Sequence, residues 1–266
     1  MLKADFYNPQ PNMQWLVSRF ETIKSDINED CLSDSFIPRP DIALVFNFKD
    51  NPEIRSNDSM KLPCLLIASI TEKPLNLCIR GEIDSFIIMC KPTVLTRILE
   101  MDIANQPFPY IPVVNESLLN LWHNLSNNKS DSERINIFSK HFLSFIDSKY
   151  SPDYIDNIYE EIIQNCLNTN ICEVSKLADC SISCLQRNFL KRTGVSMIRM
   201  LRIARIYTVF NIMISNNDLK YQNILQRSNY YDQAHFIKDF RQITGKSPRK
   251  FIKENTDLCK IISGIN

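Results

Sequence analysis

The sequence is poor in glycine and histidine and has no long apolar run. Its 266 residues include four glycines and three histidines. The apolar runs at 62–70 and 86–90 are far shorter than the ~20 residues of a membrane-spanning helix. The first residues contain no apolar core of signal-peptide length. We therefore expect a cytoplasmic protein without a membrane partner.

The common signatures of catalytic and metal sites are also missing. No glycine-rich phosphate loop, no Gly-x-Ser-x-Gly and no His-Glu pair at metal spacing is present. The nine cysteines are scattered, and no Cys-x-x-Cys occurs that would indicate zinc. We predict a protein that is not an enzyme, has no metal and no cofactor, and keeps its cysteines reduced and buried as small apolar residues.

Charge is distributed unevenly along a chain whose net charge is only +1. Residues 1–150 contain 15 Lys and Arg against 19 Asp and Glu, whereas residues 151–266 contain 16 against 11. Within 183–253 there are 14 basic and 3 acidic residues. A basic segment joined to a mildly acidic one is typical of a nucleic-acid-binding half beside a half with a second role.

The N-terminal half has the pattern of a sheet followed by helices. A short helix is expected at Pro11, followed by a strand. Further strands are predicted at 42–48, 64–70, 75–79 and 86–89, with turns at 71–74 and 80–82. This close spacing favours an antiparallel sheet or a small barrel. Helices are predicted at 93–101 and 116–125, and a third begins at a capping box, Ser130 to Glu133. Its apolar stripe, Ile135, Phe138, Phe142 and Phe145, could pack on the sheet or on a partner subunit, and we expect packing within the chain.

The sequence pattern of the C-terminal half predicts helices and no strands. Ser151 is the predicted N-cap of a helix with Pro152 at its first position, and we place the domain boundary near residue 150. Two similar units follow, with helices at 171–178 and 182–192 in the first and at 221–228 and 232–243 in the second. Each has the short helix, tight turn and second helix of a helix-turn-helix, and one long helix over 196–215 joins them.

A pattern Phe-x-x-x-Thr-Gly-x-Ser occurs twice, beginning at Phe189 and at Phe240. We interpret it as scaffold, because the Phe would anchor each second helix and the Gly would end it. Base reading is assigned to exposed residues on those helices, namely Ser183, Cys184, Gln186, Arg187, Gln233, Ala234, His235 and Lys238. Phosphate contacts are assigned to Lys191, Arg192, Arg241, Lys246, Arg249 and Lys250.

Some of these basic residues have alternative roles. His235 lies beside Phe236 and is equally well interpreted as a packed side chain. Arg199, Arg202 and Arg205 on the joining helix are interpreted as solvated or bridging residues rather than phosphate contacts.

Three segments, Leu201-Arg-Ile-Ala-Arg205, Tyr230 to Phe240 and Thr244 to Phe251, resemble the signature of the AraC/XylS family of bacterial transcription regulators. The resemblance covers about residues 152–253. It implies two helix-turn-helix subdomains that bind an asymmetric site on double-stranded DNA, with RNA polymerase as a partner. By position in the signature, the base-reading residues would be Ser183, Gln186, Arg187, Gln233, Ala234 and Lys238.

Residues 1–150 resemble the sensory domain of one branch of the same family, through 40–47 and 88–92. This implies an α+β two-domain protein whose first domain is cupin-like or mixed α/β. That domain would bind a small effector or form a homodimer. Phe46, Phe48, Arg80 and Cys90 either line a pocket or are plain core.

Two other functions compete with this interpretation. One is a regulator that acts only through protein contacts. The other is a DNA-repair methyltransferase with a zinc-held acceptor cysteine, which would require a cluster of Cys31, Cys64, Cys78 and Cys90. These four are spread widely along the sequence.

Overall fold

The N-terminal half forms an eight-stranded antiparallel sheet. A computed structural model describes residues 3–55, 60–104, 106, 109–144, 151–215, 230 and 233–254, with the backbone alone for 26–34 and 214–215. The strands are β1 (Lys3–Tyr7), β2 (Val17–Phe36), β3 (Ile42–Asn47), β4 (Glu53–Ile54), β5 (Met60–Lys61), β6 (Leu65–Ala68), β7 (Leu75–Cys90) and β8 (Tyr110–Pro112). Their order is β1-β2-β7-β3-β6-β8, and the short β4 pairs with β5 and β7.

The helices follow the sheet, as expected for the α+β class. They are α1 (Pro92–Ile98), α2 (Glu116–Ser126), α3 (Asp131–Leu143), α4 (Tyr154–Gln164), α5 (Ile171–Val174), α6 (Ile182–Thr193), α7 (Met197–Ser215), α8 (Gln233–Thr244) and α9 (Pro248–Glu254). The described residues after 150 contain no strand. In the described part of the chain, no helix combines the length and apolar character needed to cross a membrane.

The opening stretch contains a strand that the sequence pattern did not predict. The short helix expected at Pro11 is a single 3-10 turn, and the next strand begins at Val17. Ahead of them, Lys3–Tyr7 forms an edge strand paired with residues 20–24 of β2. Its side chains are all at least partly exposed, so no alternation of buried and exposed residues marks it in the sequence.

The turn predicted at 80–82 is wrong, because β7 runs through it as one strand. Gly81 has φ +83°, and the register with β2 shifts between the pairs Ile27–Gly81 and Leu32–Ile79. A Cβ at residue 81 would lie 2.3 Å from the carboxylate of Asp50. Gly81 therefore serves as an irregularity within a strand and not as a hairpin turn.

The alternation of side chains gives the sheet two faces with different partners. Phe20, Phe46 and Phe86 are fully buried on one face. There the Phe20 ring lies 5.9 Å from Phe86 and 5.7 Å from Phe138 of α3. The prediction that the α3 stripe packs within the chain is confirmed for Phe138 and Phe142, both fully buried.

The N-terminus of α3 is held by the sheet and not by the predicted capping box. The side chain of Ser130 makes no capping hydrogen bond. Instead, Asp131 accepts hydrogen bonds from Tyr7 at 2.9 Å and from Lys24 at 2.6 Å. Burial alone would raise the pKa of Asp131, but these hydrogen bonds outweigh it and hold the pKa below its ordinary value.

The predicted start of α4 is also shifted. Asp153, rather than Ser151, is the N-cap, and it forms a reciprocal capping box with Asp156. The Asp153 carboxylate accepts from the backbone N–H groups of Ile155 and Asp156. Aspartate is as good an N-cap as serine, and the acidic residue three positions later completes the box. The boundary near residue 150 remains a prediction.

The prediction that all cysteines are buried and reduced holds only in part. Cys90 and Cys166 are free and buried, and burial raises the pKa of both thiols. Cys64 and Cys172 are free but exposed. Cys78 is disulfide-bonded, which contradicts the prediction at that position.

Candidate DNA-binding surface

The first helix-turn-helix unit is present where it was predicted. Helix α5 continues into a 3-10 turn over Ser175–Leu177, and α6 begins after Ser181. The Ser181 hydroxyl accepts from the backbone N–H of Cys184 at 3.3 Å and caps α6. Leu185 and Phe189 are fully buried, so α6 is held by one face and presents the other to solvent.

The repeated Phe-x-x-x-Thr-Gly-x-Ser has the same geometry in both copies. The Thr193 hydroxyl is the hydrogen-bond donor to the carbonyls of Phe189 and Val195. The Thr244 hydroxyl donates in the same way to the carbonyls of Phe240 and Lys246. The glycine that follows each threonine is left-handed, with φ +77° and +73°. The motif ends a helix and turns the chain, which supports its interpretation as scaffold.

The two motif glycines provide a matched pair for mutation. We expect Gly245→Ala to lower the free energy of unfolding by about 1 kcal/mol, because a side chain is strained at positive φ. Gly194→Ala should lower the free energy of unfolding further, because the added Cβ would also lie 3.1 Å from the carbonyl oxygen of Ile103. A Cβ added at Gly245 would have no neighbour within 4 Å among the described residues. Urea unfolding of both variants measures the difference. Equal losses would contradict the close contact at Gly194.

The second unit is described in part. Its predicted first helix, 221–228, lies outside the described residues. Its second helix is α8, in which Phe236 and Phe240 are fully buried. Phe240 lies 6.1 Å from Phe210 of α7 and 5.8 Å from Phe251 of α9. An aromatic cluster therefore fixes α8 to the joining helix.

The joining helix α7 contains 19 residues and is therefore about 28 Å long at 1.5 Å per residue. Its arginines bridge to neighbouring elements, as predicted. Arg202 donates to Asp239 of α8 at 2.8 Å. Arg205 donates to the carbonyl of Cys166, and Arg199 donates to that of Glu72 in the sheet domain. These contacts support the interpretation of the three arginines as bridging residues.

Most of the predicted base-reading residues lie on the open side of α6 and α8. Exposed residues are Ser183, Gln186, Arg187, Gln233, Ala234, His235 and Lys238. Cys184 is half-buried, and its sulfur accepts a hydrogen bond from Asn188 at 3.5 Å. The His235 ring lies edge-on at 5.2 Å from the Tyr230 ring and remains exposed, so base reading and packing both stay predictions for this residue.

The predicted phosphate contacts differ in exposure and in partners. Lys191, Arg241, Arg249 and Lys250 are exposed, and Lys250 also lies 3.7 Å from the carboxylate of Glu254. Lys246 is half-buried and forms an ion pair with Glu254 at 2.7 Å.

Arg192 requires a correction. Its guanidinium donates to Asp153 and to Asp156, each at 2.6 Å, and to the carbonyl of Thr93. Its side chain is only 13% exposed. A guanidinium already shared by two carboxylates at this depth is not available to a phosphate. Sequence reasoning missed this because both acids lie more than 30 residues away in the chain.

The C-terminal end of α6 is clamped by the sheet domain. The backbone N–H of Ile103 donates to the carbonyl of Lys191 at 3.1 Å, and the Thr96 hydroxyl donates to that of Arg192 at 3.1 Å. Beside them, Arg97 donates to Asp153 at 2.8 Å. Burial would raise the pKa of Asp153, but the backbone hydrogen bond and the charge of Arg192 hold it below its ordinary value.

The other face of the sheet borders a cavity of about 200 Å³ that also contacts the helical half. Apolar side chains from β2, β3, β6 and β7 line most of it, and Tyr207 and Phe210 of α7 close one side. Of the residues predicted as pocket or core, Phe46 and Cys90 are fully buried but do not line this cavity. Their neighbours Val45 and Met89 do, because adjacent residues of a strand face opposite sides.

Two other predicted pocket residues also lie elsewhere. Phe48 packs at 5.9 Å from Trp122 and under the guanidinium of Arg134. Arg80 is exposed. Among the described residues, no three or more His, Cys, Asp or Glu side chains are grouped so that they could hold a metal ion.

Comparison with known proteins agrees with this geometry. ToxT from Vibrio cholerae, solved at 1.65 Å, superposes with a TM-score of 0.50 at 14% identity, covering 96% of this chain and 99% of that one. Residues 174–254 match a family described as a helix-turn-helix domain. The C-terminal part is therefore a helix-turn-helix domain of the AraC type. The two-domain arrangement, a sheet domain followed by a helix-turn-helix domain, matches the fold of ToxT.

Other comparisons are less informative. Residues 5–106 match a domain of unknown function (DUF6597). No curated protein matches the sequence. A structure of wild-type ToxT from Vibrio cholerae strain SCE256 with a bound unsaturated fatty acid has a TM-score of 0.46 at 13% identity, covering 96% of this chain and 95% of that one.

Proposed function

We propose that this protein binds double-stranded DNA in a sequence-specific manner, with α6 and α8 entering successive major grooves on one side of the duplex. The observation that carries the proposal is the pairing of two helices on one repeated scaffold, each with a row of exposed polar and basic side chains. The ~28 Å joining helix is close to the ~34 Å repeat of B-form DNA. The different polar residues on the two helices support an asymmetric site.

The function further proposed is regulation of transcription in the cytoplasm, with RNA polymerase as a partner and the sheet domain as the sensing part. The clamp on α6 supports a role for that domain, because Ile103 and Thr96 hold the end of the first recognition helix directly. The cavity supports a small-molecule effector, because its wall includes Tyr207 and Phe210 of the joining helix. Homodimer formation through the sheet domain is an additional proposal.

Binding of the full-length protein to duplex DNA at several salt concentrations tests the central proposal. Five candidate phosphate contacts remain after the correction of Arg192, namely Lys191, Arg241, Lys246, Arg249 and Lys250. If each neutralises one phosphate, log K should fall with log salt at a slope of about −4.5. Fluorescence anisotropy measures the slope.

Selection from a random DNA pool should then yield two half-motifs about one helical turn apart. Absent or salt-insensitive binding to every sequence would favour a regulator that acts only through protein contacts.

A further inference from the structure

The charges around the cavity indicate what kind of molecule it accepts. Among the described residues that line it, only Glu21 and Arg39 are charged. Glu21 accepts hydrogen bonds from Arg19 at 2.8 Å and from Arg39 at 3.2 Å, and its side chain is only 2% exposed. Arg39 also pairs with Asp41 at 3.3 Å. Two guanidinium groups thus meet two carboxylates, and the cluster has no net charge.

Two uncharged polar side chains of the wall, Ser85 and Asn47, are hydrogen-bonded within the protein. The Ser85 hydroxyl donates to the Asn47 side-chain oxygen at 2.6 Å, and the Asn47 amide donates to the carbonyl of Pro63 at 2.9 Å. Arg39 completes its contacts by lying over the Tyr207 ring at 5.3 Å. Among the described residues, a ligand that carried a charge into this cavity would find no unbalanced partner, and burying an unpaired ion is costly.

The size of the cavity limits the ligand further. A dry cavity of about 150 Å³ in a protein core accepts benzene. The present cavity of about 200 Å³ is therefore large enough for roughly eight to ten carbon atoms. Its room is created partly by Ala43 and Ala68, which are cross-strand partners that both face it.

We propose that this cavity binds a neutral, largely apolar small molecule of about eight to ten carbon atoms and discriminates against carboxylates and amines. The inference rests on the proposed function, in which the sheet domain senses an effector, and specifies the chemical class of that effector. A molecule of this kind would touch the strands and Tyr207 and Phe210 together, and would thereby stabilise the contact between the sheet and the joining helix.

Three probes with one hydrocarbon tail test the proposal on the full-length protein. Isothermal titration calorimetry at pH 7 compares 1-octanol, octanoate and octylamine. The alcohol should bind at least about tenfold more tightly than either ion. Octanoate or octylamine binding as tightly as octanol would overturn the proposal, and so would the absence of binding by all three.

A charge variant gives an independent test that reverses the selectivity. Glu21→Gln removes one carboxylate and leaves the guanidinium pair with an excess positive charge. The affinity for octanoate should then rise at least about fivefold relative to the affinity for octanol. Glu82→Gln is the matched control, because Glu82 pairs with Lys49 at an exposed site outside the cavity. An unchanged octanoate-to-octanol ratio in Glu21→Gln would overturn the charge argument.

A filling variant tests the location of the site. Ala68→Phe should abolish octanol binding, and a thermal melt reports whether the variant folds. Octanol binding that persists in folded Ala68→Phe would place the site elsewhere and overturn the proposal.

DNA binding measured separately on the wild-type protein keeps the two proposals distinguishable. Octanol selectivity without DNA binding would overturn the regulator function and retain the ligand class. DNA binding without octanol binding would retain the regulator function and overturn the ligand class.

Discussion

Replacement of Arg192 by Met is expected to lower the free energy of unfolding by about 3 kcal/mol. The reason is the position of the guanidinium between Asp153 and Asp156, of which Asp156 is only 5% exposed. Removing the cation leaves buried negative charge with Arg97 as the nearest remaining cation, at 2.8 Å from Asp153 and 3.4 Å from Asp156. Breaking one side of such a pair costs more than the pair contributes as a unit, because the remaining charge stays desolvated.

The control is Lys191→Met, which makes the same charge change one residue earlier at an exposed position. It should change stability by less than about 0.5 kcal/mol. In DNA binding, Lys191→Met should be the variant with the larger effect. It should reduce the salt slope by about 1, whereas Arg192→Met should leave the slope unchanged. A reduced slope in Arg192→Met would restore Arg192 as a phosphate contact.

The same cluster makes a prediction about pH. The pKa of Asp153 is lowered in the folded protein, so its ionisation stabilises the fold above the ordinary carboxyl range. That stabilisation should be lost as the pH falls through its folded pKa, since the unfolded chain then binds the proton more readily. Urea unfolding from pH 7 to pH 3 should therefore show a smaller loss of stability in Arg192→Met than in the wild-type protein.

Replacement of Arg187 by Ala should weaken binding to the preferred DNA site by about 1–3 kcal/mol and remove discrimination at one base pair. Arg187 is exposed on α6, whose buried side is anchored by Leu185 and Phe189, so its side chain can reach a base edge without competing for the core. Affinities for a panel of sites with single base-pair changes measure the effect.

Arg249→Ala is the comparison variant. Arg249 lies near the start of α9, just past the second scaffold motif, and is exposed. Its loss should weaken all sites to a similar extent and lower the salt slope by about 1, as expected for a phosphate contact. The reverse pattern, with uniform weakening in Arg187→Ala and altered base preference in Arg249→Ala, would mean that the recognition surface is misplaced.

Features encoded by short-range patterns were predictable. The repeated motif, α6 and α7 all follow from the spacing of apolar residues, the positions of Gly194 and Gly245, and the cap at Ser181. Each depends on residues within one or two turns of the same helix. The prediction failed where local signals competed, as at Gly81, which is as compatible with a strand irregularity as with a turn.

The candidate site was predictable only as a surface. Seven of the eight proposed base-reading residues are exposed on the two helices, and Cys184 is half-buried. Arg192 and Lys191 are neighbouring basic residues at the end of α6, yet one is engaged by carboxylates and the other is exposed. Helical spacing places Arg192 on the same side of α6 as the buried Leu185 and Phe189, but its partners on α4 and the carbonyl of Thr93 are distant in the sequence.

By itself the sequence determined the sheet-then-helix order, the duplicated helix-turn-helix scaffold and the basic surface, because these depend on periodicity, caps and charge that are local in the chain. Only the tertiary structure decided that the sheet domain clamps the end of α6 and that a cavity whose described charged residues are balanced adjoins α7. Both bring together residues far apart in sequence. Their pairing depends on strand register and on the contact between the two halves, which no local pattern encodes.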